Sequence, residues 1–205
     1  MLIRLYNENP KMKEILKAVE ILRNGGVIIY PTDTIYGIGC DMTKPKAVER
    51  VTRIKNTRPD KPDLTFIFYD LSQISDYCKP IPNPIFKLIK KNLPGPFTFI
   101  LNANSNVPKL FKNSKKSIGI RVPDNNIIRE IVRELGNPIL STSVHDDDEI
   151  KEYITDPELI HEKYGHLVDL VIDGGSGGNI PSTVLDCTSG EPMLLRIGKG
   201  VLKDH

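Results

Sequence analysis

Hydroxyls and cations recur in this sequence beside short apolar runs, an arrangement suited to holding an anionic ligand at the ends of strands. Pro31-Thr32-Asp33-Thr34-Ile35-Tyr36-Gly37-Ile38-Gly39 directly follows the β-branched run Val27-Ile28-Ile29-Tyr30. Thr32 and Thr34 offer two hydroxyls from a rigid base, and Gly37 and Gly39 would let backbone approach a ligand closely or take φ > 0. The alternative is a polar turn that satisfies its own backbone. Four cations, Arg53, Lys55, Arg58 and Lys61, fall between Arg53 and Pro62. Phosphate is their natural guest, because Arg grips it with two parallel hydrogen bonds while Lys acts as a mobile point charge; the alternative is a solvated basic loop. Arg121 stands inside the apolar pattern Ile118-Gly119-Ile120-Arg121-Val122, where a cation requires an anionic partner. Ser141-Thr142-Ser143 follows Ile139-Leu140, and Ser182-Thr183 and Arg196-Ile197-Gly198 accompany later apolar runs. Together these groups suit a polyphosphate and a small polar substrate.

Other chemistries lack their residues. The chain has no GxxxxGK[ST] and no GxGxxG, so a P-loop and a dinucleotide fingerprint are both disfavoured, and four histidines give no argument for a Ser/His/Asp triad. The four histidines stand at positions 145, 161, 166 and 205; His161 and His166 are poorly spaced for one metal and read as surface residues. Cys40, Cys78 and Cys187 are far apart with no CxxC, which favours buried free thiols over a disulfide framework or a zinc ribbon. No metal ligand and no catalytic base is assigned. Lys and Arg number 28 against 26 Asp and Glu, so anion binding must come from local clustering, not from net charge.

The elements that must position these groups alternate along all 205 residues. Met12, Ile15, Leu16, Val19 and Leu22 predict a helix with Asn9 as N-cap, Pro10 as first helical residue and Asn24-Gly25-Gly26 as its stop. Val27 to Tyr30 predicts a buried strand. Helical faces follow at Ala47 to Ile54, Ile85 to Ile89 and Ile128 to Leu135. Strands are expected at Leu64 to Phe68, Phe97 to Leu101, Ile118 to Val122 and Ile139-Leu140, then around Val168 to Ile172, Val184-Leu185 and Leu194-Leu195. Such interleaving favours α/β, with helices packed on a single twisted sheet and one domain over residues 1–205. His145 to Glu149 and Gly174 to Asn179 read as loops, the second as a flexible lid or, more commonly for such a run, a connector, with no role in chemistry beyond closeness to Ser182 and Thr183. With 39% hydrophobic residues, no run approaching about 20 apolar residues and no secretory signal core, the expectation is a cytoplasmic protein with no membrane contact.

Several of these segments, in order, resemble the YrdC/YciO family, whose members include threonylcarbamoyl-AMP synthases. The likeness runs from Gly25 through Gly37 and the Lys55 to Pro62 loop, then through Leu93-Pro94-Gly95-Pro96-Phe97-Thr98-Phe99-Ile100 and Ile118 to Pro123. Pro138 to Ser143, Pro181 to Asp186 and Leu195-Arg196-Ile197-Gly198 complete it. The resemblance implies a YrdC-like twisted mixed sheet with flanking helices and a concave basic face. It also implies a reaction in which L-threonine, bicarbonate and ATP, with Mg²⁺, give threonylcarbamoyl-adenylate and pyrophosphate on the way to the threonylcarbamoyladenosine of tRNA. Carried onto this sequence, Thr32, Thr34 and Arg121 would bind threonine, and Lys55, Arg58, Lys61, Ser141, Ser143, Ser182 and Arg196 would bind the nucleotide and its phosphates.

The sequence departs from the synthases at three places. The Lys-x-Arg pair is stretched to Lys55-Asn56-Thr57-Arg58, Ser-x-Asn reads Ser143-Val144-His145, and the segment before Leu64 lacks a histidine. These departures resemble the YciO branch, for which the alternative function is binding of double-stranded RNA or tRNA through shape and phosphate contacts.

Overall fold

The computed structural model describes residues 1–55, 64–107, 116–144 and 154–203. Among them, ten strands form one mixed sheet in the order β1-β8-β2-β3-β7-β4-β6-β5-β9-β10. The strands are β1 (Leu2–Arg4), β2 (Val27–Tyr30), β3 (Gly37–Asp41), β4 (Thr65–Ile67), β5 (Phe97–Asn102), β6 (Ser117–Arg121), β7 (Ile139–Ser143), β8 (Leu170–Asp173), β9 (Thr183–Asp186) and β10 (Met193–Arg196). The helices are α1 (Met12–Arg23), α2 (Pro45–Ile54), α3 (Asn83–Asn92), α4 (Asn126–Leu135) and α5 (Pro157–Tyr164). The expected α/β interleaving on a single sheet is therefore present. No helix is long and apolar enough to cross a membrane among the described residues.

Strand alternation divides the buried side chains between two faces. On the first, Val27, Ile29, Ile38, Cys40, Phe66, Phe99, Ile120 and Leu140 pack with residues of α2, α3 and α5. On the second, Ile28, Tyr30, Ile67, Ile139, Leu170 and Ile172 pack against Ile15, Val19 and Leu22 of α1 and Ile127, Ile128, Ile131 and Val132 of α4. No residue of β5, β6 or β9 belongs to this second cluster. The two helices thus cover the β8-β2-β3-β7 side of that face and leave the β6-β5-β9 side for polar groups.

Two expectations are corrected. Helix α1 starts at Met12, not Pro10, because its first amide bonds run from Glu14 and Ile15 to the carbonyl of Lys11, while the amide of Asn9 turns back to Tyr6. Asn9 is therefore not its cap. Gly37 and Gly39 lie within strand β3, which pairs antiparallel with both β2 and β7, and neither has positive φ. They serve the neighbouring strand instead of a ligand: a Cβ at Gly37 would stand 2.9 Å from the Tyr30 ring, and one at Gly39 would meet Ile139 at 2.7 Å. Their missing side chains let the Tyr30 ring lie across β3.

Candidate functional site

After β2 the chain turns back over the second face, and this turn carries the buried Thr34 and the half-buried Thr32 and Asp33. Thr32 Oγ1 accepts the amide of Thr34 at 3.0 Å, donates to the carbonyl of Ile35 at 2.7 Å and lies 3.1 Å from Thr34 Oγ1. So the turn does satisfy its own backbone, as the bland reading expects. It also presents Asp33 and Thr34 inward. Arg121, at the end of β6, alternates with the core residues Ile120 and Val122 and so projects from the second face beneath this turn. Its guanidinium donates to Asp33 Oδ1 at 2.8 Å and to Thr34 Oγ1 at 3.0 Å. Both charged side chains are about nine-tenths buried, at 10% and 9% exposure. Among the described residues, Asp33 Oδ2 and Arg121 Nε are buried without a hydrogen-bond partner. Burial pulls the Arg121 pKa down, Asp33 opposes this, and the nearby charge of Arg196 pulls it further down.

Arg196 belongs to a second node on the same face. Its guanidinium donates to the carbonyl of Ser182 at 3.0 Å and to Ser182 Oγ at 3.2 Å, and that hydroxyl meets Thr98 Oγ1 at 2.8 Å. On the opposite flank, Tyr30 donates its hydroxyl to Ser141 Oγ, which lies 3.3 Å from the carbonyl of Ile38. Burial holds the Tyr30 hydroxyl well above the usual phenol range, so it remains a neutral donor. Ser143, two residues along the same face, is half-buried, and its carbonyl accepts from Lys55 Nζ at 3.2 Å.

The predicted residues therefore assemble in three linked groups. Thr32, Thr34 and Arg121 are in mutual contact, directly or through Thr34. Ser182 and Arg196 are hydrogen-bonded, and Arg196 is within electrostatic reach of Arg121. Ser141 and Ser143 share a strand with Lys55 at its end, and the buried Tyr30, which feels the charge of Arg121, connects them to the first group. Arg58, Lys61 and the acidic run Asp146 to Asp148 lie outside the described residues.

Sequence reading missed four participants. Asp33, between the two threonines, fixes Arg121. Thr98 faces Ser182. Lys199, next after Arg196-Ile197-Gly198, donates through Nζ to the carbonyl of Asp33 at 2.6 Å. Tyr36 donates its hydroxyl to the carbonyl of Gly175 at 2.7 Å; burial pushes its pKa up to about 12, so it too stays protonated. Asp33 and Tyr36 stand inside the Pro31 to Gly39 segment, Thr98 inside the Leu93 to Ile100 segment and Lys199 directly after Arg196-Ile197-Gly198, so position in the sequence was the one signal they carried. The three cysteines are free and buried, and burial pushes the thiols of Cys40 and Cys78 up to about 12 and that of Cys187 to about 11, so none is a ready nucleophile. Among the described residues, no group of three or more His, Cys, Asp or Glu converges on a point that could hold a metal ion.

Comparison with known proteins agrees with this architecture. An uncharacterized protein of Haemophilus influenzae is 43% identical over 96% of this chain and 94% of its own length. The Escherichia coli protein YciO is 42% identical over 97% of this chain and 96% of its own, and its crystal structure superposes with a TM-score of 0.91 over 99% of this chain and 98% of that one. Threonylcarbamoyl-AMP synthase of Bacillus subtilis is 31% identical over 94% of this chain, which spans 55% of that enzyme. P. abyssi Sua5 in complex with L-threonine, at 28% identity, gives a TM-score of 0.87 over 97% of this chain and 57% of Sua5. A family model described as telomere recombination, and named for Sua5, YciO and YrdC, matches residues 20–198. That match spans the chain from within α1 to just beyond β10 and includes every residue of the three groups above, so the chain belongs to the Sua5/YciO/YrdC family.

Proposed function

We propose that this protein makes threonylcarbamoyl-adenylate from L-threonine, bicarbonate and ATP, and so acts in the cytoplasm toward the threonylcarbamoyladenosine of tRNA. The observation that carries the reading is the Arg121–Asp33–Thr34 node: a nearly buried guanidinium and a threonine hydroxyl held together at 3.0 Å beneath one turn. It is supported by the likeness to a Sua5 that binds L-threonine. Thr32, Thr34 and Arg121 receive the amino acid, the guanidinium meeting its carboxylate. Ser141, Ser143, Ser182, Lys55 and Arg196 take the nucleotide and its phosphates, with Arg58 and Lys61 added from the basic segment.

The chemistry asks for positioning more than for covalent help. The threonine nitrogen bonds to the bicarbonate carbon with loss of water, and an oxygen of the resulting carbamate attacks the α-phosphorus in line. The bond to the β-phosphate oxygen breaks, and pyrophosphate leaves with the electron pair. Mg²⁺ carried by the nucleotide neutralises charge on the triphosphate. Lys55 and Arg196 meet the charge that develops on the departing group.

Purified protein supplied with ATP, Mg²⁺, bicarbonate and L-threonine should release pyrophosphate only when threonine is present, and should restore the modified nucleoside in a strain that lacks it. Failure of both would remove the enzymatic reading. A second reading, binding of double-stranded RNA or tRNA, rests on the departures Lys55-Asn56-Thr57-Arg58 and Ser143-Val144-His145 from the synthase pattern. It requires affinity that falls steeply with salt and is lost in Lys55→Ala plus Arg58→Ala.

A further inference from the structure

The glycine-rich segment after β8 lies against the turn that carries Thr34, and we propose that this segment and Tyr36 act as a positioning strap, setting where the Thr34 hydroxyl stands without touching substrate themselves. The inference deepens, and rests on, the reading of the Thr34 turn as the threonine site.

Four hydrogen bonds make the strap. The amide of Gly178 donates to the carbonyl of Thr34 at 2.7 Å, and that of Gly177 to the carbonyl of Thr155 at 2.7 Å. Tyr36 Oη donates to the carbonyl of Gly175 at 2.7 Å and accepts the amide of Gly174 at 3.1 Å. The peptide of Thr34 is consequently held on both sides, its amide by Thr32 Oγ1 and its carbonyl by Gly178. The preceding carbonyl, of Asp33, is taken by Lys199 Nζ. Two successive carbonyls are thus fixed from distant parts of the chain, and the Thr34 hydroxyl stands 3.0 Å from Arg121.

The glycines are required by this closeness. A Cβ at Gly178 would lie 2.4 Å from the carbonyl oxygen of Thr34, one at Gly177 would lie 2.6 Å from the Tyr36 ring, and one at Gly174 would lie 2.5 Å from Pro31. Only a bare backbone can run this near to residues 31–36. The glycines therefore mark a close fit, not slack in a connector.

The test uses the full chain and two variants. Tyr36→Phe keeps the ring under Gly177 and removes the hydroxyl; Gly178→Ala forces the strap away from Thr34. Isothermal titration with L-threonine and with Mg·ATP, steady-state kinetics and amide hydrogen exchange are the readouts. Tyr36→Phe should raise the KM and Kd for threonine about five- to tenfold with kcat and the KM for ATP within about twofold, and Gly178→Ala should raise them further. Amide exchange at positions 34, 177 and 178 should quicken in both variants, with exchange in β5 and β6 unchanged. Wild-type threonine affinity in both variants, or equal losses for threonine and ATP, would overturn the proposal. If the wild-type chain binds no threonine, the threonine site falls and the substrate role of the strap with it. Quickened exchange in Tyr36→Phe would then show only that these hydrogen bonds hold the turn, and the positioning role would be overturned.

Discussion

Arg121 and Asp33 stand 88 residues apart in sequence and meet at 2.8 Å, each nearly withdrawn from water. An isolated buried charge is costly, so the strand that exposes Arg121 to the second face and the turn that lowers Asp33 onto it depend on each other. Removing one member should cost more than removing both. Asp33→Asn or Arg121→Met alone is expected to lower unfolding stability by about 3–5 kcal/mol, the double variant by distinctly less. Urea denaturation of the four proteins decides it. Additive losses would mean that the pair is not the coupled unit described here.

Ser182 links a strand end to two partners, Thr98 and Arg196, and is itself only 4% exposed. Ser182→Ala should cost about 1 kcal/mol of stability through the lost hydrogen bonds. Arg196, left with only the backbone carbonyl of residue 182, should also hold the nucleotide about three- to tenfold less tightly while threonine affinity stays near its starting value. Titration of each ligand separately checks the split, and an equal effect on both would move Ser182 out of the nucleotide side of the site.

Much of this arrangement was legible in the sequence because the relevant patterns are local. Apolar runs bounded by Pro and Gly marked β2, β5, β6 and β7, and helical spacing marked α2, α3 and α4. Arg121 announced itself by interrupting an apolar strand. What could not be read was set by partners distant in the chain. Strand β3 holds two glycines because Tyr30 and Ile139 occupy the space their side chains would fill, and in sequence those glycines look like a turn. Tyr36 looked like one more aromatic, since its partners, Gly174 and Gly175, are 138 and 139 residues away. Strand β1 is three residues long and pairs with β8 near the other end of the chain, so three alternating residues carried no signal by themselves.

The packing of Tyr30 over β3 gives a direct test of that account. At Gly37 an added methyl meets a ring that is itself fully buried and cannot swing into solvent. Gly37→Ala should therefore destabilise by about 1–3 kcal/mol, whereas Ala at an ordinary open strand position would cost little or help. Because the displaced ring carries the hydroxyl that meets Ser141, activity should fall together with stability. A Gly37→Ala protein with an unchanged unfolding midpoint would place the Tyr30 ring elsewhere.

The buried thiols set a pH dependence of definite sign. Burial raises the pKa of Cys40 and Cys78 from the ordinary thiol value to about 12, so above about pH 9 the folded chain keeps protons that the unfolded chain has released. Stability from these groups is complete below the ordinary thiol pKa and is lost progressively as pH rises above it. Thermal midpoints should fall between about pH 8.5 and about pH 10.5, and the fall should be shallower in Cys40→Ala plus Cys78→Ala, in which the surface titrations are unchanged. Below about pH 8 the two proteins should differ only by the constant packing loss of the alanine substitutions. Parallel slopes across the alkaline range would show that these thiols titrate alike in both states and would remove them from the pH dependence, their burial at 0% and 4% exposure notwithstanding.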